Sequence, residues 1–516
     1  MNRLNRHLLL NYKPSIDITL PKDKFFDLPV KVLQFGEGRF IRAFLNFFID
    51  VANHKELFNG RSIVIQPRKA DMAPIINAQD GLFTLCAQGL RNETQHQEFM
   101  IISSIKEAIA ARTEWDKVLR IAELPTIQII ASNTTEAGLV YDSQDRIDKI
   151  PPDSFPGKIA ALLYHRYQFF DGDRNKGLRI LPLELIENNG DILRKSVLQM
   201  VKNWNLDKNF INWLQSANIF YNSIVDRIVT GYPKNSEIDQ FQKQLGYEDK
   251  LFNIAELYHS WIIEADEQLQ NLIPFKKAGL NIKFVSNIKD YFIRKVRILN
   301  GAHTSMVPIA YLSGKNFVKE SIDDPLINIY IQNLLEKEVI PFINLSENEL
   351  ISYKNTIIER FRNPFLEHNL LTISLYSISK MKLRVLPSIL EYYQKFNSYP
   401  PLLLFAFAAF MVFMRIDEHT DQGWFGLRKS ERYEYQDDFN GLETFNNAWK
   451  SIDPLKKGEI DKLATLLCQN TTLWDIDLTK LSQFVSVISS YIYDIIRNGM
   501  IATLKQILRK NNLVRS

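Results

Sequence analysis

Cysteine is almost missing: Cys86 and Cys468 are the only two in 516 residues, far apart and outside any Cys-x-x-Cys or Cys/His spacing. That excludes a disulfide framework and a thiolate zinc site, and it points to a reducing, cytoplasmic setting. Excess charge is also scarce. The 63 basic and 59 acidic side chains leave a formal net of +4, which offers no electrostatic footprint for nucleic acid. No apolar run approaches the ~20 residues needed to cross a bilayer. The most apolar one, LLLFAFAAFMVFM over 402–414, follows Pro400 and Pro401 and reads as a buried core helix. The N-terminus is basic, but Asn11 and Lys13 interrupt its apolar stretch, so it does not read as a secretory signal.

What the chain does have is 46% hydrophobic residues over a length that exceeds one hydrophobic core, so two domains are expected. In the first half, strand-like runs alternate with helix-like ones. KVLQF (31–35), RSIVIQ (61–66), FTLCAQ (83–88), TIQIIAS (126–132) and LRILPL (178–183) read as strands, with helices over 105–122, 156–170 and 191–204. That alternation implies a mainly parallel sheet covered on both faces. After about residue 280, helix-period segments follow one another with little strand signal. The expected fold is an α/β Rossmann-like N-terminal domain over 1–280 and a mainly α-helical C-terminal domain over 281–516. The polar stretch 417–441 reads as a long functional loop or lid.

Two segments carry chemistry. In QFGEGRFIRAF, Gly36 and Gly38 stand between a strand and a helix. There they permit a tight turn and close approach of a pyrophosphate to the helix N-terminus. The dinucleotide fingerprint is incomplete, because its third glycine would fall at Ile41 and the acid expected at the end of the second strand is Gln66. A plain strand-turn-helix junction fits equally well. The missing acid leaves NAD and NADP both open, since Arg68 and Lys69 can accept a 2′-phosphate or can be solvated loop charges. SNTTEAG (132–138) also follows a buried strand, at the carboxyl end where open α/β sheets bind ligands, and Asn133 is placed to face a nicotinamide.

The second segment is KVRILNGAHTS, residues 295–305. On an α-helix, with Lys295 as origin, Asn300 lies at about 140° and His303 at about 80°, one broad face, while Gly301 falls at about 240° and permits close packing. Metal-independent hydride transfer needs a base for the alcohol proton and donors for the developing alkoxide; lysine, asparagine and histidine supply both. Taken singly, each has an ordinary structural explanation: a surface lysine, a helix-end Asn-Gly, a satisfied core histidine. In ELIENNGD (184–191), which contains Asn189, and in NSIVDRIV (222–229), polar groups again follow apolar strands. Asp226 beside Arg227 fits a structural ion pair or a group that orients the lysine or histidine.

Together these segments resemble the polyol-specific long-chain dehydrogenase/reductase family that includes mannitol dehydrogenase. QFGEGRFIRAF is similar to its cofactor loop, SNTTEAG to its nicotinamide-side turn, NSIVDRIV to its Asn-x-x-Val-Asp-Arg element and KVRILNGAH to its Lys-x4-Asn-x2-His signature. RFRNPFLEH (360–368), SKMKLRVLP (379–387) and YQDDF (435–439) resemble blocks of its helical half. The resemblance implies a site in the cleft between the two domains and NAD-linked reduction of a keto sugar acid, tagaturonate, to altronate. Lys295 would be the general acid/base, Asn300 and His303 would polarise the carbonyl, and Phe35, Gly36, Glu37, Gly38, Arg39, Phe40 and Asn133 would hold the cofactor. Asp226, Asn189, Arg362, Lys380 and Arg384 would contact the substrate, with an arginine or lysine for the carboxylate. No metal, nucleic acid or membrane partner is implied, and the chain would act as a monomer or homodimer. Two departures stand out: Phe292 occupies a position where some members carry a glutamate, and Arg39 one where a small or amide residue is common. Fructuronate reductase and mannitol or polyol dehydrogenase are alternatives within the family, and a non-catalytic nucleotide sensor is one outside the enzyme class.

Overall fold

A computed structural model describes residues 1–68 and 71–514. The chain forms two compact units, Met1–Tyr291 and Phe292–Ser516. The first reaches past residue 280 because Ile282–Val285 is a strand paired in parallel with Ser260–Glu264, which ties that segment to what precedes it.

The first unit is built on six parallel strands: β1 (Val30–Phe35), β2 (Arg61–Gln66), β3 (Ile105–Ala110), β4 (Ile129–Ser132), β5 (Arg179–Pro182) and β6 (Ile219–Phe220). Their order across the sheet is β3-β2-β1-β4-β5-β6, the doubly wound arrangement whose reversal point lies between β1 and β4. Successive side chains point to opposite faces, and both faces are buried. Leu33, Phe35, Ile63, Ile65 and Ile130 pack under helices Trp115–Ala122, Phe155–Phe169 and Asn189–Asn203. Val32, Ile129, Ala131 and Leu181 pack on the other face with Phe44, Phe48 and Trp261.

One sequence expectation holds here with a different sheet for its strand, and another fails. FTLCAQ forms a strand, Phe83–Arg91, but its antiparallel partner is Thr94–Ile102, in a separate five-stranded sheet. The third strand of the main sheet is β3, within the segment expected to be helical over 105–122; only Trp115–Ala122 is helix. IKEAIA is short and apolar enough to suit either state, and pairing with β2 decides it.

The second unit is helical around one hydrophobic core. Pro401–Phe413 runs through its centre with eleven of its residues buried, and the Glu338 carboxylate accepts the N–H groups of Leu402 and Leu403 at 2.9 and 2.7 Å. Among the described residues no helix is long and apolar enough to cross a membrane. The segment 417–441 is not a long loop. It forms three antiparallel strands, Glu418–Thr420, Gly423–Arg428 and Glu431–Tyr435, held because Tyr433 and Tyr435 are buried and both donate to the Phe413 carbonyl.

Candidate active site

At the carboxyl ends of β1, β2 and β4 lies a cavity of ≈590 Å³, whose wall includes Gly36, Glu37, Gly38, Arg68, Asn133 and Lys158. Gly36 has φ +120°, and a Cβ there would lie 3.0 Å from the Asn133 carbonyl oxygen, so glycine is required for the turn to pass under the strand end. A Cβ on Gly38 would meet nothing within 4 Å; that side of the loop is open to a ligand. Gly38 caps the helical stretch 39–54, which is π-wound over Arg42–Asn46. The buried Arg42 fixes the loop from behind, donating to the carbonyls of Glu37 at 3.1 Å and Leu251 at 2.7 Å. A glycine cradle opening onto a helix start fits the pyrophosphate of a dinucleotide.

Of the expected cofactor residues, Gly36, Glu37, Gly38 and Asn133 line this cavity, whereas Phe35, Arg39 and Phe40 do not. Phe35 is fully buried against Phe155, Phe40 stacks on Phe44, and Arg39 donates to the Thr230 carbonyl at 2.8 Å beside Gly231. Helix direction separates them, since side chains just inside a helix start project sideways while its backbone N–H groups face the ligand. Lys69 lies outside the described residues.

Two residues of this region went unrecognised in the sequence. Glu184, buried after β5, accepts from the Thr134 N–H and hydroxyl at 2.8 and 2.9 Å and from the Ser132 hydroxyl at 3.1 Å, fixing the SNTTEAG turn; burial pushes its carboxyl up. Lys158 is buried in the cavity wall, donating to the Pro152 and Asp153 carbonyls at 2.6 and 2.7 Å. Burial lowers its ammonium to about 8. Nothing in their sequence spacing marks either one.

Asn189 is a structural clamp. Its amide nitrogen donates to the carbonyls of Pro182, Glu184 and Ser223, and its oxygen accepts the N–H groups of Gly190 and Ser223. Its hydrogen-bonding capacity is spent on backbone, which corrects the substrate-binding role expected for it. Asp226 is buried in the strand Ser223–Asp226, opposite Ser260. Arg227 turns the other way, donating to the carbonyls of Glu256 and Ala43 and covering the Phe47 ring.

In the second unit the helical wheel needs revision. Lys289–Arg294 and Gly301–Leu312 are α-helical, but Lys295–Asn300 between them is π-wound. A π turn closes on i→i+5, so Lys295 and Asn300 sit one turn apart rather than at the α-helical angle; such segments recur at functional sites. Ion pairs flank the segment. Arg294 bonds Glu349 at 2.8 Å and covers Tyr353, and Arg297 pairs with Glu391. Gly301 lies near the Arg384 carbonyl, where a Cβ would meet the oxygen at 3.4 Å, an ordinary contact distance, so packing there does not demand glycine.

Lys295 and Asn300 are half-buried; His303 is buried, its ring stacked on Phe361 (4.3 Å) and edge-on to His368 (4.9 Å). Its Nε2 has no hydrogen-bond partner among the described residues. Burial, followed by the charges of His368, Arg360, Arg384 and Lys380, holds its pKa well below 6.5. The imidazole is therefore neutral near pH 7, with one N–H to give. Lys380 and Arg384 thus lie within electrostatic reach of His303, as a carboxylate pocket requires. Lys380 donates to the Ile373 carbonyl at 2.9 Å, and Arg384 lies 3.5 Å from the Thr304 hydroxyl. Arg362, half-buried, ends helix Glu347–Phe361, while Arg360, buried and not singled out in the sequence, lies in the field of His303. Both arginines stand in RFRNPF, and only the packing of Phe361 on His303 tells them apart.

Residues 30–277 match the family described as mannitol dehydrogenase Rossmann domain, and residues 287–495 the mannitol dehydrogenase C-terminal domain. The chain is 38% identical to the altronate oxidoreductase of Bacillus subtilis (strain 168) over 484 residues, 94% of this chain and 96% of that one. It is also 38% identical to that of Yersinia enterocolitica over 480 residues, 92% and 96% of the two chains. Among solved structures, a mannitol 2-dehydrogenase from Pseudomonas fluorescens, in ternary complex with NAD and D-mannitol, superposes with a TM-score of 0.71 at 21% identity, covering 98% of this chain and all of that one. A D-sorbitol dehydrogenase in substrate-free form gives 0.79 at 18% identity, covering 97% of this chain and 100% of that one.

Proposed function

We propose that this chain, which belongs to the mannitol dehydrogenase family, reduces tagaturonate to altronate with NADH, in the cytoplasm and as a monomer or homodimer. It is an oxidoreductase acting on CH–OH groups. The observation that carries the substrate class is the neutral, buried imidazole of His303 set among the cations Arg360, Arg384 and Lys380. A hydrogen-bond donor in a positive field suits an oxygen that gains negative charge on a substrate that already bears a carboxylate. Arginine and lysine are the side chains that pair with carboxylates.

When bound, NADH supplies the hydride that adds to the substrate's carbonyl carbon. As the C=O π bond breaks, its electron pair moves onto oxygen, where the His303 N–H and the Asn300 amide stabilise the growing charge. The Lys295 ammonium donates the proton that completes the hydroxyl, and the resulting amine regains a proton from solvent. In the oxidative direction Lys295 is the base. Phe292 offers no carboxylate for a proton relay, so proton exchange at Lys295 takes another route.

The test is NADH oxidation followed spectrophotometrically with tagaturonate, fructuronate and fructose. Turnover is expected with tagaturonate, and an inert tagaturonate beside an active fructose overturns the substrate assignment. Lys295→Ala should keep NADH affinity while kcat falls by about 10²- to 10⁴-fold, the range for loss of a general acid/base. Wild-type turnover in that variant removes the lysine from the mechanism.

A further inference from the structure

The strand end where dinucleotide-binding sheets usually carry an acid for the adenosine ribose is here Gln66, and the structure shows that this residue is not available for a ligand. It is fully buried. Its Oε1 accepts the Ala73 N–H at 3.0 Å, and its Nε2 donates to Asp71 at 2.8 Å and to Glu37 at 3.4 Å. The last contact matters most. Glu37 belongs to the glycine loop, yet its carboxylate reaches across to the end of β2 and lies in the cavity wall with Gly36, Gly38, Pro67 and Arg68.

We infer that Glu37 supplies from the glycine loop the carboxylate that selects NADH over NADPH, in place of the acid absent from the second strand. The inference rests on the dehydrogenase reading above and concerns the adenosine half of its cofactor. A ribose carrying free hydroxyls donates hydrogen bonds to a carboxylate, whereas a 2′-phosphate there meets like charge from Glu37. Gln66 is the tether: with its oxygen fixed by the Ala73 N–H, its amide nitrogen can only donate, and it holds both carboxylates at the strand end. Arg68 is the group that argues the other way, since an arginine after β2 accommodates a 2′-phosphate in NADP-dependent relatives of this fold.

Titration of the purified full chain with NADH and with NADPH, read by quenching of tryptophan fluorescence, separates the two. The wild type is expected to bind NADH at least about tenfold more tightly, and Glu37→Gln to shrink that ratio by about tenfold, the scale of a hydrogen bond to a charged group. Arg68→Ala should leave NADH preferred. Glu37→Asp keeps the charge but withdraws it by one methylene, and its ratio should fall between the other two; thermal melts of each variant confirm folding. Equal affinity of the wild type for both nucleotides, or an unchanged ratio in the Glu37 variants, overturns the inference while leaving the dehydrogenase reading intact. Failure of both nucleotides to bind removes the inference and the dehydrogenase reading together.

Discussion

At the scale of single residues, His303 is buried among cations and keeps an Nε2 without a hydrogen-bond partner among the described residues. Its folded pKa lies below the unfolded value of 6.5, so as pH falls the unfolded chain takes up the proton first. The stability tied to this residue is therefore complete above pH 6.5 and is lost as pH drops toward the folded pKa. The slope approaches about 1.4 kcal/mol per pH unit. Urea midpoints at pH 7, 6 and 5 should fall less steeply for His303→Gln than for the wild type; parallel slopes would show that the imidazole is not held neutral. Gly36 makes a second prediction at this scale. Gly36→Ala places a methyl against the Asn133 carbonyl at a φ of +120°, a strain of about 1–3 kcal/mol. It should weaken NADH binding while leaving any affinity for the sugar acid alone, as measured by calorimetric titration of each ligand.

At the scale of elements, both stretches that bear site residues change winding: the helix after the glycine loop over Arg42–Asn46 and the helix of Lys295 over Lys295–Asn300. A π segment adds a residue to a turn, which shifts the faces of everything beyond it, and it persists only where surrounding contacts fix it. The second helix carries the pairs Arg294–Glu349 beside its π segment and Arg297–Glu391 within it. The central helix Pro401–Phe413 depends on a contact of another kind. The first-turn N–H groups of a helix have no helical partners, and here, after the proline at the first position, Glu338 accepts two of them. Burial raises that carboxyl to about 8. At about pH 9, where the carboxyl is ionised, Glu338→Gln turns an NH₂ toward an N–H donor and should destabilise the protein by about 1–3 kcal/mol, the penalty for an unsatisfied buried donor. A urea midpoint equal to wild type would show that this cap contributes nothing.

At the scale of the whole molecule, the two units have separate kinds of core. The helical unit has one large cluster centred on Pro401–Phe413, and the first unit has four smaller clusters on the faces of its sheets. Cores built this way unfold as more than one cooperative transition. Scanning calorimetry should resolve two, and NADH at about a hundred times its Kd should stabilise the transition of Met1–Tyr291 by about 2.7 kcal/mol. A single transition, unmoved by NADH, contradicts both the division and the nucleotide site.

The sequence by itself determined the architecture and the chemical inventory, because strand and helix periodicity and the spacing of Gly36, Gly38, Lys295, Asn300 and His303 are local properties of the chain. It could not resolve IKEAIA as a strand, the 417–441 stretch as a small sheet, or Asn189 as a clamp. Each of those depends on a partner distant in sequence: β2, the Phe413 carbonyl, and the backbone of Ser223. The tertiary structure alone decided that the buried Arg360 lies in the field of His303, and that the Glu37 carboxylate reaches the end of β2. Side-chain direction and electrostatic reach are set by packing across the fold, and no spacing along the chain encodes them.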